Sequence, residues 1–147
     1  MILFISACSS NNLTPTLQEE TEEPVADMEN PAVVVSCDDF MKLQRISKEI
    51  EVAADGSFTV TLCSNPSTGF QWESANISDQ TVLEETSHRF VSLEENETPP
   101  PPGTAGQEVW TFKALKAGES TISIEYSQSW EGGEKAVWIF ALNVSIE

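Results

Sequence analysis

The chain has 147 residues, of which 24 are acidic and 7 are basic, and its formal net charge at pH 7 is −17. This length suits one domain with a terminal tail, and a hydrophobic content of 39% is enough to build a core. The acidic excess repels phosphate backbones, and no stripe of Lys and Arg offsets it. The composition therefore argues against nucleic-acid binding.

The first eight residues are similar to the end of a bacterial lipoprotein signal peptide. Ile5-Ser6-Ala7-Cys8 fits the pattern in which a cysteine is lipidated after cleavage. A secretory signal usually spans ~15–30 residues with a positively charged start, so this segment matches only the end of one and leaves the true start open. The resemblance implies a lipid anchor on Cys8 and a place in the bacterial cell envelope, facing the periplasm or exposed on the surface. The alternative is a frayed apolar N-terminus with a free thiol.

The segment 9–35 has the composition of a solvated tether. It contains three prolines and six of the acidic residues, and it has no aromatic side chain. Such a segment cannot bury enough apolar surface to fold, so a flexible, disordered tail is predicted here. The folded domain is then predicted to cover residues 36–147.

Cysteine usage predicts a disulfide. If Cys8 carries a lipid, Cys37 and Cys63 remain as an even pair in a compartment where disulfides persist. His88 is the only histidine, and no Cys-His-Asn set or cluster of metal ligands can be assembled around it. The sequence therefore predicts no enzyme, no metal and no cofactor, and it predicts that His88 is an ordinary surface or edge residue.

From residue 46 onward, short runs of alternating apolar and polar residues indicate an all-β sandwich. A run at 49–52 is followed by a turn signal at 54–56 and by a strand pattern at 57–64, which together predict the first hairpin. Weaker strand patterns cover 70–74 and 86–93.

Three stronger strand patterns follow, at 108–115, 120–126 and 136–146. The last is apolar on both faces at its start, which predicts a central strand or one that is covered. Trp110 and Trp138 stand in strand alternation and are predicted to be core residues. About seven strands over some 110 residues predict an immunoglobulin-like antiparallel β-sandwich.

Three segments at predicted strand connections carry the most informative residues. They are Asn65-Pro66-Ser67-Thr68-Gly69-Phe70, Gly103-Thr104-Ala105-Gly106 within the loop 94–107, and Gln128-Ser129-Trp130 within the loop 127–135. In an immunoglobulin-like topology alternate loops gather at one end, so these three are expected to lie together. Over residues 48–146 the sequence resembles the chagasin-type inhibitors of papain-like cysteine proteases. That family has Asn-Pro-Thr-Thr-Gly-Tyr/Phe, Gly-X-Gly-Gly and Arg-Pro-Trp in the three loops.

The first loop matches the family pattern apart from Ser67. Pro66 fixes one backbone torsion and Gly69 can adopt a positive φ, so the loop is predicted to be narrow and stiff. The resemblance implies that this loop lies across the catalytic cysteine of a protease and blocks it without being cut.

The other two loops match less closely. The second keeps two of three glycines, with Ala105 between them, and the third keeps Trp130 with Gln128 and Ser129 where Arg and Pro are usual. The missing arginine predicts weaker affinity or an altered protease preference. The protease-binding residues that the resemblance implies are Asn65, Pro66, Ser67, Thr68, Gly69, Phe70, Gly103, Thr104, Ala105, Gly106, Gln128 and Trp130.

The sequence thus predicts a reversible, monomeric inhibitor of papain-like cysteine proteases that contacts a membrane only through its lipid. The target is left open among the organism's own enzyme, a host enzyme and a competitor's enzyme. The alternative is an envelope-anchored immunoglobulin-like adhesion or scaffold module with no protease target. Dependence of protease inhibition on Thr68, Gly69 and Trp130 distinguishes the two.

Overall fold

The computed structural model describes residues 30–92 and 105–147. Within those ranges the chain forms nine strands and one short α-helix. In chain order the elements are β1 (Ala32–Val35), α1 (Cys37–Leu43), β2 (Arg45–Val52), β3 (Ser57–Ser64), β4 (Phe70–Trp72), β5 (Asn76–Ile77), β6 (Leu83–Ser92), β7 (Gly106–Ala114), β8 (Gly118–Gln128) and β9 (Trp138–Ile146). The predicted anchor and most of the predicted tether fall on residues 1–29, which lie outside the described part.

The strands form a β-sandwich of two sheets, which confirms the predicted fold class. One sheet has the order β1-β3-β7-β6, and the other has the order β2-β9-β8-β4, with β5 also paired to β8. The sheets are mixed, because β1 pairs with β3 and β2 pairs with β9 in parallel. The predicted antiparallel arrangement holds for the remaining pairs, and β9 lies between two strands, as expected from its apolar faces.

The core follows from strand alternation, since every second side chain of a strand points to the same face. In β7 and β8 the buried residues alternate with half-buried or exposed ones along most of each strand. Trp110 is fully buried, as predicted, whereas Trp138 packs against the core while partly exposed. The largest fully buried side chains are Trp110, Phe40, Phe58, Phe112 and Phe140.

The prediction of a first hairpin from β2 and β3 was wrong. The turn between these strands carries the chain from one sheet to the other. Its backbone N–H groups bond to the ends of two other strands, with Ala54 donating to the carbonyl of Glu147 at 2.9 Å and Asp55 donating to that of Ala114 at 3.0 Å. Because β7 and β9 take up these donors, β2 and β3 separate and each pairs elsewhere.

The folded part begins before residue 36, so the predicted tether extends too far. Val33 and Val35 of β1 are buried against the core. The four residues of β1, one alanine and three valines, extend the sheet beside β3. Helix α1 follows, with Ser36 and Asp39 forming a capping box at its start. Phe40 of this helix is fully buried, so the segment 32–43 belongs to the domain.

One end of the sandwich gathers the strand ends that border the three predicted loops; it is called the loop end below. In one sheet Ser64 and Ser92 both pair with Gly106, and in the other Phe70 pairs with Gln128. The predicted gathering is confirmed for the first and third loops, which contact each other as described next. Residues 93–104 of the second loop lie outside the described ranges.

Candidate functional site

The first loop is a single tight helical turn between β3 and β4. Residues Pro66–Thr68 form a 3-10 helix, and Gly69 ends it with a φ of 81° in the left-handed region. This is the role that glycine fills most readily, because it has no Cβ to clash. The backbone N–H groups of Thr68 and Gly69 donate to the carbonyls of Asn65 and Pro66 at 3.2 and 3.1 Å.

Side chains stiffen the same loop. The Ser67 hydroxyl donates to Asn65 Oδ1 at 2.6 Å, and the Thr68 hydroxyl donates to the Asn65 carbonyl at 2.7 Å. Ser67 and Thr68, the predicted apex, are exposed together with Pro66, yet both hydroxyls are turned back onto Asn65. The exposed tip therefore presents mainly the Pro66 ring, the Thr68 methyl group and main chain.

The base of this loop rests on an aromatic cluster. Tyr126 lies beneath Phe70 with ring centroids 5.6 Å apart, and its phenolic oxygen accepts a 3.0 Å hydrogen bond from the N–H of Asn65. Trp72 donates from Nε1 to the Cys63 carbonyl at 2.8 Å. Its ring packs on that of Tyr126, with centroids 4.8 Å apart. Sequence reasoning placed Tyr126 only in a strand and missed its role, although its position directly before the third loop was a usable signal.

The predicted disulfide is present, with Cys37 bonded to Cys63. It joins the first residue of α1 to β3 two residues before the first loop begins. Phe40, one helical turn further on, stacks on Trp138 and packs against Trp72, in both cases with centroids 5.2 Å apart. Helix α1 thereby ties the foot of the first loop to both sheets.

The structure brings Gly69 and Trp130 together across the first and third loops. A Cβ on Gly69 would lie 2.7 Å from Cζ3 of the Trp130 ring, so the indole occupies the space that a larger side chain needs. Trp130 is still 49% exposed, in agreement with its predicted place in a loop. The six-membered ring of the indole thus lies against the first loop, and the exposed part of the side chain is open to a partner.

The third loop is closed by its own hydrogen bonds. Gln128 donates from its backbone to the Glu134 carbonyl at 2.8 Å, and its side-chain Oε1 accepts from the Glu134 N–H at 2.9 Å. The ammonium of Lys135 donates to the carbonyls of Gln128 and Trp130. Gln128, predicted to contact a protease, thus has both its side-chain oxygen and its backbone carbonyl engaged within the loop. Lys135 is a structural residue that the sequence did not reveal.

Only the end of the second loop is described. Gly103 and Thr104 lie outside the described ranges, Ala105 is exposed, and Gly106 is buried as the first residue of β7. Strand β7 therefore begins within the segment that was predicted to be loop. The ring of Phe90, from β6, lies directly against Gly106.

A polar cluster centred on the buried Glu108 joins three strands just below the loop end. Glu108, 7% exposed, accepts hydrogen bonds from the Ser64 hydroxyl at 2.8 Å and from His88 Nε2 at 2.7 Å. The His88 ring stacks on Trp110 with centroids 4.4 Å apart. The carboxylate lies between the hydroxyl and the imidazole, so the histidine does not contact Ser64 as a general base would. The cluster is thus suited to holding β3, β6 and β7 together, and His88 lies at the sheet edge, as predicted.

Two carboxyl groups in loops and caps have perturbed acidity. Hydrogen bonds from the side chain and backbone of Ser36 lower the pKa of Asp39, and those from Thr81 lower the pKa of Asp79. Both groups are structural and lie outside the three loops.

In residues 30–92 and 105–147, no group of three His, Cys, Asp or Glu side chains is placed to hold a metal ion. Among the same residues, no helix has the length and apolar character needed to span a bilayer.

The fold and the loop end together define a β-sandwich binding module with a stiff, projecting loop and an exposed tryptophan beside it. The sequence model of the Chagasin family peptidase inhibitor I42 matches residues 51–144, and the chain belongs to this family of peptidase inhibitors. Among curated protein sequences, none matches.

Solved structures support the same fold at low sequence identity. The cysteine protease inhibitor EhICP2 from Entamoeba histolytica is similar with a TM-score of 0.60 and 18% identity, over 80% of this chain and 97% of that one. Amebosin gives a TM-score of 0.51 and 20% identity, over 80% and 99% of the two chains. PbICP-C, solved in complex with falcipain-2, gives a TM-score of 0.54 and 10% identity, over 80% of this chain and 99% of that one.

Proposed function

We propose that this protein is a reversible inhibitor of papain-like cysteine proteases whose first loop, residues 65–70, enters the active-site cleft. The loops 94–107 and 127–135 would contact the protease on either side. Family membership supports inhibition, and the structural neighbours that are cysteine protease inhibitors support the class of target. The observation that carries the proposal is the support of Gly69 by Trp130 at the tip of the molecule.

The shape of the loop accounts for blocking without cleavage. Strand-type recognition of a peptide requires an extended main chain that can form ladder hydrogen bonds. Residues Pro66–Thr68 are instead wound into a helical turn, and the N–H groups of Thr68 and Gly69 donate to carbonyls within the loop. A protease that meets this turn finds its cleft filled by main chain that is not in the conformation of a substrate.

The stiffness of the loop accounts for affinity. Ordering a flexible loop at an interface costs ~0.5–1.5 kcal/mol for each side chain that becomes fixed, and a loop that is ordered beforehand avoids this cost. Four hydrogen bonds within residues 65–69 and one from Asn65 to Tyr126 fix the first loop before any partner arrives. Binding then requires little rearrangement of the inhibitor.

The third loop would set protease preference. Gln128 and Ser129 stand where Arg and Pro are usual in the family, and the side-chain oxygen Oε1 of Gln128 accepts a hydrogen bond from within the loop. Trp130 is left as the exposed apolar contact from this loop. Rigid aromatic side chains next to polar residues are frequent hot spots in protein interfaces, so recognition here rests on the ring rather than on charge.

The proposed function is tested by titrating papain and a panel of cathepsin-like enzymes with the full chain and with a Gly69→Glu, Trp130→Ala double variant. Stoichiometric inhibition by the wild type that is lost in the double variant is the expected result. A variant Gly132→Glu controls for backbone strain and added charge in the third loop, because Gly132 also has a positive φ but has no atom within 4 Å of its Cβ position. Absence of inhibition across the panel would favour the scaffold module instead.

The lipid anchor on Cys8 and the envelope location are part of the same proposal, and they rest on the sequence pattern of residues 5–8 alone. An inhibitor held there would meet proteases at the cell surface or in the periplasm. Metabolic labelling with an alkyne fatty acid tests the anchor, and label that persists in a Cys8→Ser variant would contradict it. Residues 9–29 would act as a spacer between the lipid and the domain.

A further inference from the structure

Phe90 stands out among the apolar side chains at the loop end. It is 43% exposed, although it lies on the sheet face that carries the buried Trp110. The reason is its place on β6, which is the outer strand of its sheet and, among the described strands, is paired only with β7. Among the described Phe, Tyr and Trp side chains, only Phe90 and Trp130 are classed as exposed.

The Phe90 ring has a fixed direction. Phe90 pairs with Glu108 across the two strands, yet its ring reaches diagonally to Gly106, two residues nearer the loop end. A Cβ on Gly106 would lie 2.6 Å from Cε2 of the ring, so the ring fills the space left by the glycine. An aromatic ring that covers a cross-strand glycine is held in place by the pair, and it loses little freedom when a partner binds.

Phe90 and Trp130 border the first loop from different directions. Trp130 follows β8 of one sheet, whereas β6 lies two strands from β3 in the other sheet, a separation of about 10 Å at the usual strand spacing. Each ring covers a glycine next to a loop, Gly69 for Trp130 and Gly106 for Phe90. The loop end thus has an exposed, pre-positioned aromatic ring on both sides of the projecting loop.

We propose that Phe90 is a second aromatic contact with the protease, on the side of the first loop opposite to Trp130, where it packs on an apolar part of the rim of the cleft. This inference rests on the proposed function. Aromatic side chains are enriched at interface hot spots, and a ring that is already fixed contributes area at low entropic cost. Sequence reasoning placed Phe90 inside an ordinary strand and gave it no role.

The first test compares inhibition constants of Phe90→Ala and Phe90→Tyr against a protease that the wild type inhibits. The alanine variant is expected to raise Ki about tenfold or more, and the tyrosine variant, which keeps a ring over Gly106, is expected to stay within about threefold. A change of less than threefold in the alanine variant would overturn the inference.

The second test separates direct contact from support of the neighbouring strand. A photoreactive benzoylphenylalanine is placed at position 90, and at position 84 as a control on the same exposed strand about 20 Å away. Crosslinking to the protease is expected from position 90 and not from position 84. A Ki effect in Phe90→Ala without crosslinking from position 90 would show that the ring acts only through the inhibitor's own fold, which overturns the contact.

Failure of this inference is distinguishable from failure of the proposed function. If the wild-type chain inhibits no papain-like protease, the proposed function fails and Phe90 has no protease to contact. If the wild type inhibits and the position-90 experiments are negative, only the contact assigned to Phe90 is wrong.

Discussion

The N–H of Asn65 donates a 3.0 Å hydrogen bond to the phenolic oxygen of Tyr126, a residue 61 positions later in the chain. The bond joins the start of the first loop to the strand that leads into the third loop. The two loops therefore share one foundation, and a change in either is expected to be felt by the other.

Tyr126→Phe tests this foundation. The substitution keeps the ring stacking with Phe70 and removes the acceptor for the Asn65 N–H, which is expected to cost about 1 kcal/mol of unfolding free energy. Urea unfolding measures the loss, and the Ki for a papain-like protease is expected to rise because the first loop is less well fixed. Phe70→Leu serves as the control for the stacking alone. An Asn65 amide whose hydrogen exchange is no faster in Tyr126→Phe would contradict the assigned role.

Gly69→Ala is expected to weaken inhibition far more than Gly132→Ala. Both glycines have a φ near 80°, so both substitutions carry similar backbone strain of about 1 kcal/mol. Only the Cβ at Gly69 meets the Trp130 ring, so only this variant must displace the indole. Tryptophan fluorescence and Ki measured on both variants check the prediction, and equal effects on Ki would show that the contact does not matter.

Removal of the disulfide is expected to destabilise the domain. In the chain-entropy account, a bridge closing 26 residues is worth about 3.5 kcal/mol. Unfolding of a Cys8→Ser chain with and without reductant measures the difference, since that background leaves no third thiol to exchange. A Cys37→Ser, Cys63→Ser variant should then be insensitive to reductant. An unfolding midpoint that reductant leaves unchanged in the parent chain would refute the stabilising role. Assays of cysteine proteases contain thiols, so the result also bears on how inhibition is measured.

The helix cap predicts a pH dependence of stability. Hydrogen bonds from Ser36 hold the pKa of Asp39 below its ordinary value. Since the folded pKa is depressed, the contribution of this carboxylate is present above about pH 4 and is lost as pH falls through the lowered pKa. Asp39→Asn should therefore be less stable than the wild type at pH 7, with a difference that narrows towards pH 3.

Asp38→Asn is the matched control for that measurement, because Asp38 lies in the same helical turn but does not form the capping box. Chemical unfolding at several pH values gives the comparison. A gap between Asp39→Asn and the wild type that stays constant from pH 7 to pH 3 would exclude the cap as its source.

Strand β1 and the start of helix α1 also have local signals in the sequence, although the predicted tether covered most of this region. The run Ala32-Val33-Val34-Val35 after a proline has the β-branched content of a strand. Ser36 three residues before Asp39 is a capping-box pattern, followed at once by the apolar Phe40. Both patterns predict regular structure, but the prolines and acidic residues upstream led to the prediction of a tether up to residue 35.

The sequence by itself determined the strands that alternate strongly, the turn of the first loop and the disulfide pair, because side-chain period, proline and glycine torsions and cysteine number are properties of short segments. Only the tertiary structure decided that β2 pairs with β9 instead of β3, that Tyr126 supports Asn65, and that Trp130 covers Gly69. Those relationships join residues about 60 to more than 90 positions apart. They depend on which sheet each strand enters, and that choice is made by packing of the whole core and not by any local pattern.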